Sequence, residues 1–323
     1  MNEQIHLTRS EFGKFVEALR EIADIYLSPE RKVTTPTDIL EGFEYLFHMM
    51  NAGIDIYLLA GDPDRPEFVR MLSPRLRWAG DNPDALYYVA RIRGDRSYRI
   101  RGKLNGECYL SFTVHGRAKD GGIGFNREPV LGDMNDRSIE IAPDGSYEII
   151  LSPEKHPGNW LHLQPNAVSL MTRHYFENEI SAQLAPDLKV NLTIESLTPL
   201  PAPPPNTDDL LARRIADLIM FLRDGTIEMP LPYSIPISFV SATPNELPQP
   251  ASFRMTGYEA WAAVDVFYCQ APFRIQPDEA LVIKGRFPDC AFANVVLWNR
   301  HLQAFDYRGH RISLNRKQTI FEP

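Results

Sequence analysis

The chain has 323 residues, 44% apolar and 24% charged, with 34 basic against 42 acidic side chains and a formal charge of −8. This is ordinary globular composition and argues against global disorder. No apolar run approaches the ~18 residues that cross a bilayer, the start (MNEQIHLTRSEF) lacks the basic-then-apolar pattern of a secretory signal, and the acidic balance disfavours non-specific nucleic-acid binding. The expectation is a cytoplasmic protein with no membrane span, no nucleic-acid partner and, by length, two domains.

Phe12, Phe15, Val16, Leu19, Ile22, Ala23 and Tyr26 recur at three- and four-residue steps, one apolar face of a first helix. Thr8 and Glu11 stand at capping-box spacing before it. A second helix is expected from Thr35, with Pro36 in its first turn and Gly53 as its stop. Its apolar face reads Ile39, Leu40, Phe43, Leu46, Phe47 and Met50. Residues 62–72 read as a loop with one or two helical turns.

From about residue 84 the pattern changes to strands, predicted at 87–92, 97–101, 107–115, 138–142, 147–151, 160–163, 168–176 and 189–197. Asn105-Gly106 tolerates the positive φ of a type I′ turn and predicts a hairpin; Pro143-Asp144-Gly145 predicts a second. Short strands joined by turns, without alternating helices, imply an antiparallel sandwich. A basic strip runs through Arg91, Arg93, Arg96, Arg99, Arg101 and Lys103. It is either a solvated strand face or an anion-binding surface. Cys108, Cys269 and Cys290 lie far apart and are expected as reduced, mostly buried thiols.

Residues 199–205 (PLPAPPP) read as a stiff polyproline linker and a domain boundary. Thr207, Asp208 and Asp209 then start a helix. Its apolar face is Leu211, Ile215, Leu218, Ile219 and Leu222, and Gly225 ends it. Residues 229–250 are proline-rich and expected to be irregular. Strands are expected to return from about 260 and continue to the end.

The order helix-then-strands occurs twice, and the two halves align in part. Residues 99–117 (RIRGKLNGECYLSFTVHGR) lie over 282–300 (VIKGRFPDCAFANVVLWNR) without a gap, and 135–143 (NDRSIEIAP) lie over 315–323 (NRKQTIFEP). In the helices, Arg20, Ile22, Ala23 and Asp24 fall on Arg213, Ile215, Ala216 and Asp217. The first copy continues past Pro143 with DGSYEIILSPEKHPGNWLHL and further strands; the second reaches only Pro323. The expected division is a helical segment at 1–80 packed on the first sandwich, that sandwich at 81–198, a linker at 199–206, and a helix plus a second, C-terminally incomplete sandwich at 207–323.

Three segments, DNPDALYYVARIRGDRSYRIRG, DGSYEIILSPEKHPGNWLHLQPNAVSLMTRHYF and FANVVLWNRHLQAFDY, resemble a bacterial family catalogued as domain of unknown function 1214, often paired with the related 1254 domain. The resemblance covers both β regions and little of the helices or the proline-rich stretch. It implies β-sandwich, jelly-roll-like domains; together with the helix and repeat patterns, the expected fold is mainly β, with two related antiparallel β-sandwich domains, each preceded by helical segments. It supplies no agreed reaction.

No nucleophile elbow, zinc-protease motif, P-loop or dinucleotide fingerprint is present, and no cofactor is expected. Gly121-Gly122-Ile123-Gly124 is not followed by a helix pattern and reads as a flexible β loop rather than a phosphate cradle. The richest polar cluster surrounds Trp160, His162, Arg173, His174, Tyr175 and Glu177. His162, His174 and Glu177 could act as acid–base groups if their faces meet, or could ligate a metal; the spacing demands neither, and structural roles explain them as well. Arg173 could clamp an anion or pair with an internal acid. His115 and Trp298 end equivalent strands, and Trp298 with Arg300 forms a second mixed patch. The leading reading is a protein that binds a small, partly apolar organic ligand, with room for an anionic group. Its binding residues would be Trp160, Arg173, Tyr175, His115, Trp298 and Arg300, in or between the sandwiches. The alternatives are a hydrolase or lyase using the His/Glu groups, and an assembly subunit or homo-oligomer completed by strand addition at an open C-terminal edge.

Overall fold

The computed structural model describes residues 6–200, 202–203, 205–230, 236–253 and 261–320. Pro201 and Pro204 of the proline linker, and the last three residues of the aligned repeat, lie outside these. Helices α1 (His6–Tyr26) and α2 (Pro36–Gly53) occupy the expected stretches. Thr35 caps α2, accepting from the Asp38 amide at 3.1 Å. Thr8 does not cap α1. It lies inside the helix, and the Asp208 carboxylate accepts from the Leu7 and Thr8 amides at 2.8 Å each. The orphan donors of α1 are thus met by the second half of the chain.

The buried face of α2 also differs from the expected one. Leu40 and Phe47 are exposed, whereas Gly42, Tyr45, Leu46, Met49 and Ala52 are buried. Asp38, Glu41, Glu44, His48 and Asn51 mark one polar side of this helix and leave a wide apolar arc, so periodicity alone offers two stripes. The stripe with Gly42 is the one that fits, because a Cβ there would sit 2.2 Å from Leu27 and against His301. A π-helical turn, Ile54–Leu59, continues α2.

Nine strands follow: β1 (Val69–Arg70), β2 (Ala85–Arg91), β3 (Tyr98–Lys103), β4 (Tyr109–Gly116), β5 (Val130–Asn135), β6 (Ser146–Ser152), β7 (Trp160–His162), β8 (Ala167–Tyr175) and β9 (Asn191–Ser196). They form a five-stranded sheet, β1-β2-β8-β4-β5, and a four-stranded sheet, β7-β6-β3-β9. All pairs are antiparallel except β6 with β7. Leu110, Phe112, Val114 and Leu170 of the first sheet meet Tyr98, Ile100, Ile149 and Leu151 of the second in an apolar core.

The Asn105-Gly106 turn is present, with Gly106 at φ +94°, but it joins no hairpin. β3 pairs with β6 and β9, and β4 pairs with β8 and β5, so this turn carries the chain from one sheet to the other. Local turn chemistry fixes the sign of φ and not the partner of the next strand. Residues 138–142 are irregular; the strand lies just before them, as β5.

After the linker, α3 (Asp208–Asp224) begins at its N-cap Thr207, which accepts from the Leu210 amide at 3.2 Å, and ends at Gly225. Beyond α3 the described residues show two short antiparallel ladders rather than a sandwich: β10 (Ala251–Ser252) with β11 (Phe267–Tyr268), and β12 (Asn294–Val296) with β13 (Ser313–Asn315). Ser111 pairs with Asn135, Phe112 with Met134 and Thr113 with Asp133. Their aligned counterparts pair identically: Asn294 with Asn315, Val295 with Leu314 and Val296 with Ser313. The repeat seen in the sequence is therefore repeated in strand register.

The three helices and the second half cover the outer face of the five-stranded sheet. Ile22, Tyr45, Met49, Tyr57, Trp78, Leu218, Phe221 and Trp261 pack with Tyr87, Val89, Met171 and Tyr175 in one core. The fold is mainly β, with several antiparallel sheets and a few helices.

Candidate functional site

Side chains alternate across a sheet, so the residues between those that fill the sandwich point to the outer face. On β2, β4 and β8 these include Tyr87, Arg91, Tyr109, Thr113, His115, Ser169, Arg173 and Tyr175. Strand register places Arg91, Ser169 and His115 in one row and Tyr87, Arg173 and Ser111 in another. A sheet covered on both faces ordinarily carries apolar side chains on both. Here the outer face is polar although it is buried: His115 and Ser169 are inaccessible to solvent, and Arg173 is 3% exposed.

Trp261, from the second half, closes over this face. Its carbonyl accepts from Arg173 Nη2 at 2.6 Å, and Arg173 Nη1 donates to Thr113 Oγ1 at 3.0 Å. Its indole N–H donates to Glu128 Oε2 at 2.8 Å, the same oxygen that accepts from Ser169 Oγ at 2.8 Å. The other Glu128 oxygen accepts from the Gly124 amide at 3.3 Å and lies 3.8 Å from Arg91 Nη1. The Arg91 guanidinium also sits over the Tyr57 ring, 4.9 Å from its centroid. Burial pushes the Glu128 carboxyl above the usual carboxylate range, with Arg91 pulling the other way.

His115 lies beside this network without joining it. Its ring is 5.9 Å from that of Trp261, and neither ring nitrogen has a hydrogen-bond partner in the structure. Burial holds the imidazole well below the ordinary histidine range, and the nearby Arg173 charge adds to the effect. It is therefore neutral, with one donor and one acceptor.

The other anticipated residues are distributed elsewhere. His174 faces the sandwich interior, where Nδ1 lies 3.4 Å from Glu107 Oε1 and Nε2 lies 3.1 Å from Thr172 Oγ1. His162 is exposed on β7 of the opposite sheet, beside Trp160 at 5.6 Å between ring centroids. Trp160 donates its indole N–H to Ser152 Oγ at 2.9 Å. Glu177 forms a two-pronged pair with Arg316 at 2.7 and 3.0 Å. His162, His174 and Glu177 thus occupy different surroundings, each with its own neighbour, and do not converge on an acid–base or metal site. Among the described residues no group of three His, Cys, Asp or Glu is placed to hold a metal. Trp298 donates to the Asp81 carbonyl at 2.8 Å, and Arg300 reaches Asp38 and the Arg31 carbonyl. Of the anticipated binding residues, only His115, Arg173 and Tyr175 share a face. The hydroxyl of Tyr175 meets that of Tyr87 at 3.2 Å.

Most of the basic strip is charge-matched. Arg99 and Arg101 pair with Glu148 and Glu195, Arg93 and Arg96 with Asp64 and Asp95, and Lys103 with Asp144. A shallow depression of about 440 Å³ lies beside it, lined by Arg101, Lys103 and residues 190–193. The glycine-rich loop is pinned rather than free. Asn126 donates to the Asp224 carbonyl and carboxylate, and the Phe125 carbonyl accepts from the Trp261 amide at 2.7 Å. Gly124, at φ +132°, leaves no room for a Cβ against Asp224. Nothing in the sequence singles out Glu128, and Arg91 reads there only as part of the basic strip. The outward parity of Arg91 on its strand was the available signal for the latter.

No protein-family model and no curated protein matches the chain. Among solved structures, it is similar to an uncharacterised protein from Burkholderia cenocepacia, with 24% identity, a TM-score of 0.77, and coverage of 95% of this chain and 82% of that one. A weaker likeness, 16% identical with a TM-score of 0.24 over 58% of this chain and 43% of the other, is to the VPA0106 protein of Vibrio parahaemolyticus. The Burkholderia protein shares the fold.

Proposed function

We propose that the outer face of the five-stranded sheet, beneath Trp261, binds a small, partly apolar organic ligand that carries a hydroxyl, amide or carboxyl group. The observation that carries this reading is His115: an inaccessible imidazole whose two nitrogens meet no partner in the protein. Leaving such a group unsatisfied costs about 1–3 kcal/mol. A ligand that offers one acceptor and one donor recovers that cost. Trp261 supplies an apolar wall, and Arg91 and Arg173 favour an anionic head over a cationic one. The site lies between the two halves of the chain, where binding pockets concentrate. The same reading takes residues 207–323 as a second, partial copy of the first jelly-roll-like sandwich, supported by the shared β4–β5 and β12–β13 register.

Thermal unfolding of the full chain tests it with benzoate, phenylacetate, indole-3-acetate, benzyl alcohol and a medium-chain fatty acid as probes. At least one probe is expected to raise the midpoint of the wild type. His115→Phe is expected to raise the midpoint of the unliganded protein and to abolish the response to that probe. A wild type indifferent to every probe, or a His115→Phe variant that keeps the full response, would count against the site.

A further inference from the structure

Residues 189–196 (KVNLTIES) alternate in exposure into and along β9. Lys189, Asn191, Thr193 and Glu195 are exposed. Leu192 and Ile194 pack on the sandwich core, and Val190 packs beside Leu86 and Phe176. β9 ends the four-stranded sheet, and its ladder with β3 runs unbroken from Tyr98–Ser196 to Lys103–Asn191. The Leu197 amide donates to the Ser97 carbonyl at 2.8 Å. Bonded pairs recur at every second residue of an antiparallel ladder, so the odd-numbered residues of β9 spend their backbone groups on β3. The N–H and C=O groups of Val190, Leu192 and Ile194 point the other way, out of the sheet. They have no backbone partner among the described residues.

The other edges of the sandwich are short or covered. β1 has two residues and β7 three. β5 lies against β7, where Leu161 stands 3.6 Å from the place of a Cβ on Gly132. β9, with six residues, is the longest open edge of the two sheets. An open edge invites pairing with another strand, and proteins ordinarily deter this with charge. Here the edge carries one charge of each sign, Lys189 and Glu195, at equal distance in sequence on either side of Leu192. Lys189 has no acidic partner among the described residues. Glu195 receives Arg99 and Arg101 on Oε1, at 3.3 and 3.2 Å, which leaves Oε2 for a further donor.

We infer that two copies of this chain associate through β9, by antiparallel pairing of the strand with itself about a two-fold axis at Leu192. In that register Leu192 stands opposite its own copy and Val190 opposite Ile194, so the apolar row continues across the junction. Asn191 stands opposite Thr193. Lys189 stands opposite Glu195, twice by symmetry, and opposite charges across strands attract. The outward backbone groups at 190, 192 and 194 become bonded pairs. Neighbouring registers lose the match. An axis at residue 191 sets Glu195 against Asp187, like against like, and one at residue 193 sets Lys189 against Leu197. The charges that deter other strands thus favour a second copy in one register. This inference stands apart from the ligand reading, because β9 belongs to the four-stranded sheet and His115 to the other.

Sedimentation velocity of the full chain tests this at concentrations up to about 100 μM. A strand pair is smaller than a standard interface of about 1,600 Å², so a reversible dimer in the micromolar range is expected. Lys189→Glu sets like charges opposite each other and should weaken the dimer by about tenfold or more; Glu195→Lys should do the same. Both side chains are exposed, so the variants are expected to fold. Mixed one to one, the two variants should dimerise again, because each glutamate then faces a lysine of the other chain. His115→Phe should leave the dimer unchanged. A wild type that stays monomeric throughout overturns the inference. So does a dimer indifferent to Lys189→Glu, or a mixture of the two variants that associates no better than either alone.

Discussion

Trp261 donates its indole N–H to Glu128 at 2.8 Å, and this bond fastens the second half of the chain to the sheet of the first. Glu128 reaches the sheet from a loop with no regular structure, and it accepts from Ser169 with the same oxygen. Removing it would leave three buried donors, the Trp261 indole, the Ser169 hydroxyl and the Gly124 amide, without an acceptor and Arg91 without its nearest carboxylate.

Glu128→Ala is accordingly expected to cost about 3–5 kcal/mol, the range for breaking one side of a buried ionic contact. Glu128→Gln keeps an acceptor for Trp261 and Ser169 and loses the charge facing Arg91, so it should cost about 1–2 kcal/mol. Urea unfolding of the two variants checks the order. Equal losses would mean that the charge, rather than the shared acceptor, holds the two halves together.

Two other carboxylates make stability depend on pH. Burial pushes Asp81 up to about 7, although the Ala304 amide donates to its Oδ1 at 2.8 Å. Burial likewise pushes Asp224 up to about 7, against the bond from the Asn126 amide. A folded-state value raised above the unfolded one gives stability that is complete below the unfolded value and lost as pH rises through the folded one. Both carboxyls thus make stability fall between about pH 4 and 7. The urea midpoint of the wild type should drop from pH 4.5 to 7.5 more than that of Asp81→Asn or Asp224→Asn, and the double variant should show the smallest drop. A double variant with the wild-type slope would place the pH dependence elsewhere.

How far the sequence reaches can be judged at particular residues. Thr35, Thr207 and Gly225 bound helices where the sequence places them, because caps act within a turn. The repeat is legible too, because alternation and polar turn residues survive duplication. What fails is whatever depends on a distant partner. Asn105-Gly106 makes its turn without making a hairpin, since four other strands take the edges of β3 and β4. Asp208 caps α1 from 200 positions away in sequence, which no local pattern encodes. His174 and Arg173 are adjacent in sequence and end in different layers, one beside Glu107 and the other under Trp261. Glu128 was invisible because a glutamate in a glycine-rich loop ordinarily faces water.

Asn135 donates to Asp265 at 2.7 Å, and its counterpart Asn315 donates to Asp84 at 3.2 Å. Asp84-Ala85-Leu86-Tyr87 also lies over Asp265-Val266-Phe267-Tyr268, so each half lends an asparagine to the aspartate of the other. Both asparagines also accept from the amide two residues on, Arg137 and Lys317, at 3.1 and 3.0 Å. The bonds match, but their surroundings do not. Asn315 and Asp84 are fully buried, and Asn315 donates further to the Asn178 carbonyl at 2.9 Å. Asp265 is exposed, so water can replace the bond from Asn135. Asn315→Ala should therefore cost about 2–3 kcal/mol, and Asn135→Ala less than about 1 kcal/mol. The Asn315→Ala loss should also grow as pH rises from 4 to 7. Burial already raises Asp84, and losing a donor to its charged form raises it further. Equal losses at both positions, measured by urea unfolding, would show that the exchanged bonds act through geometry alone and that burial does not weight them.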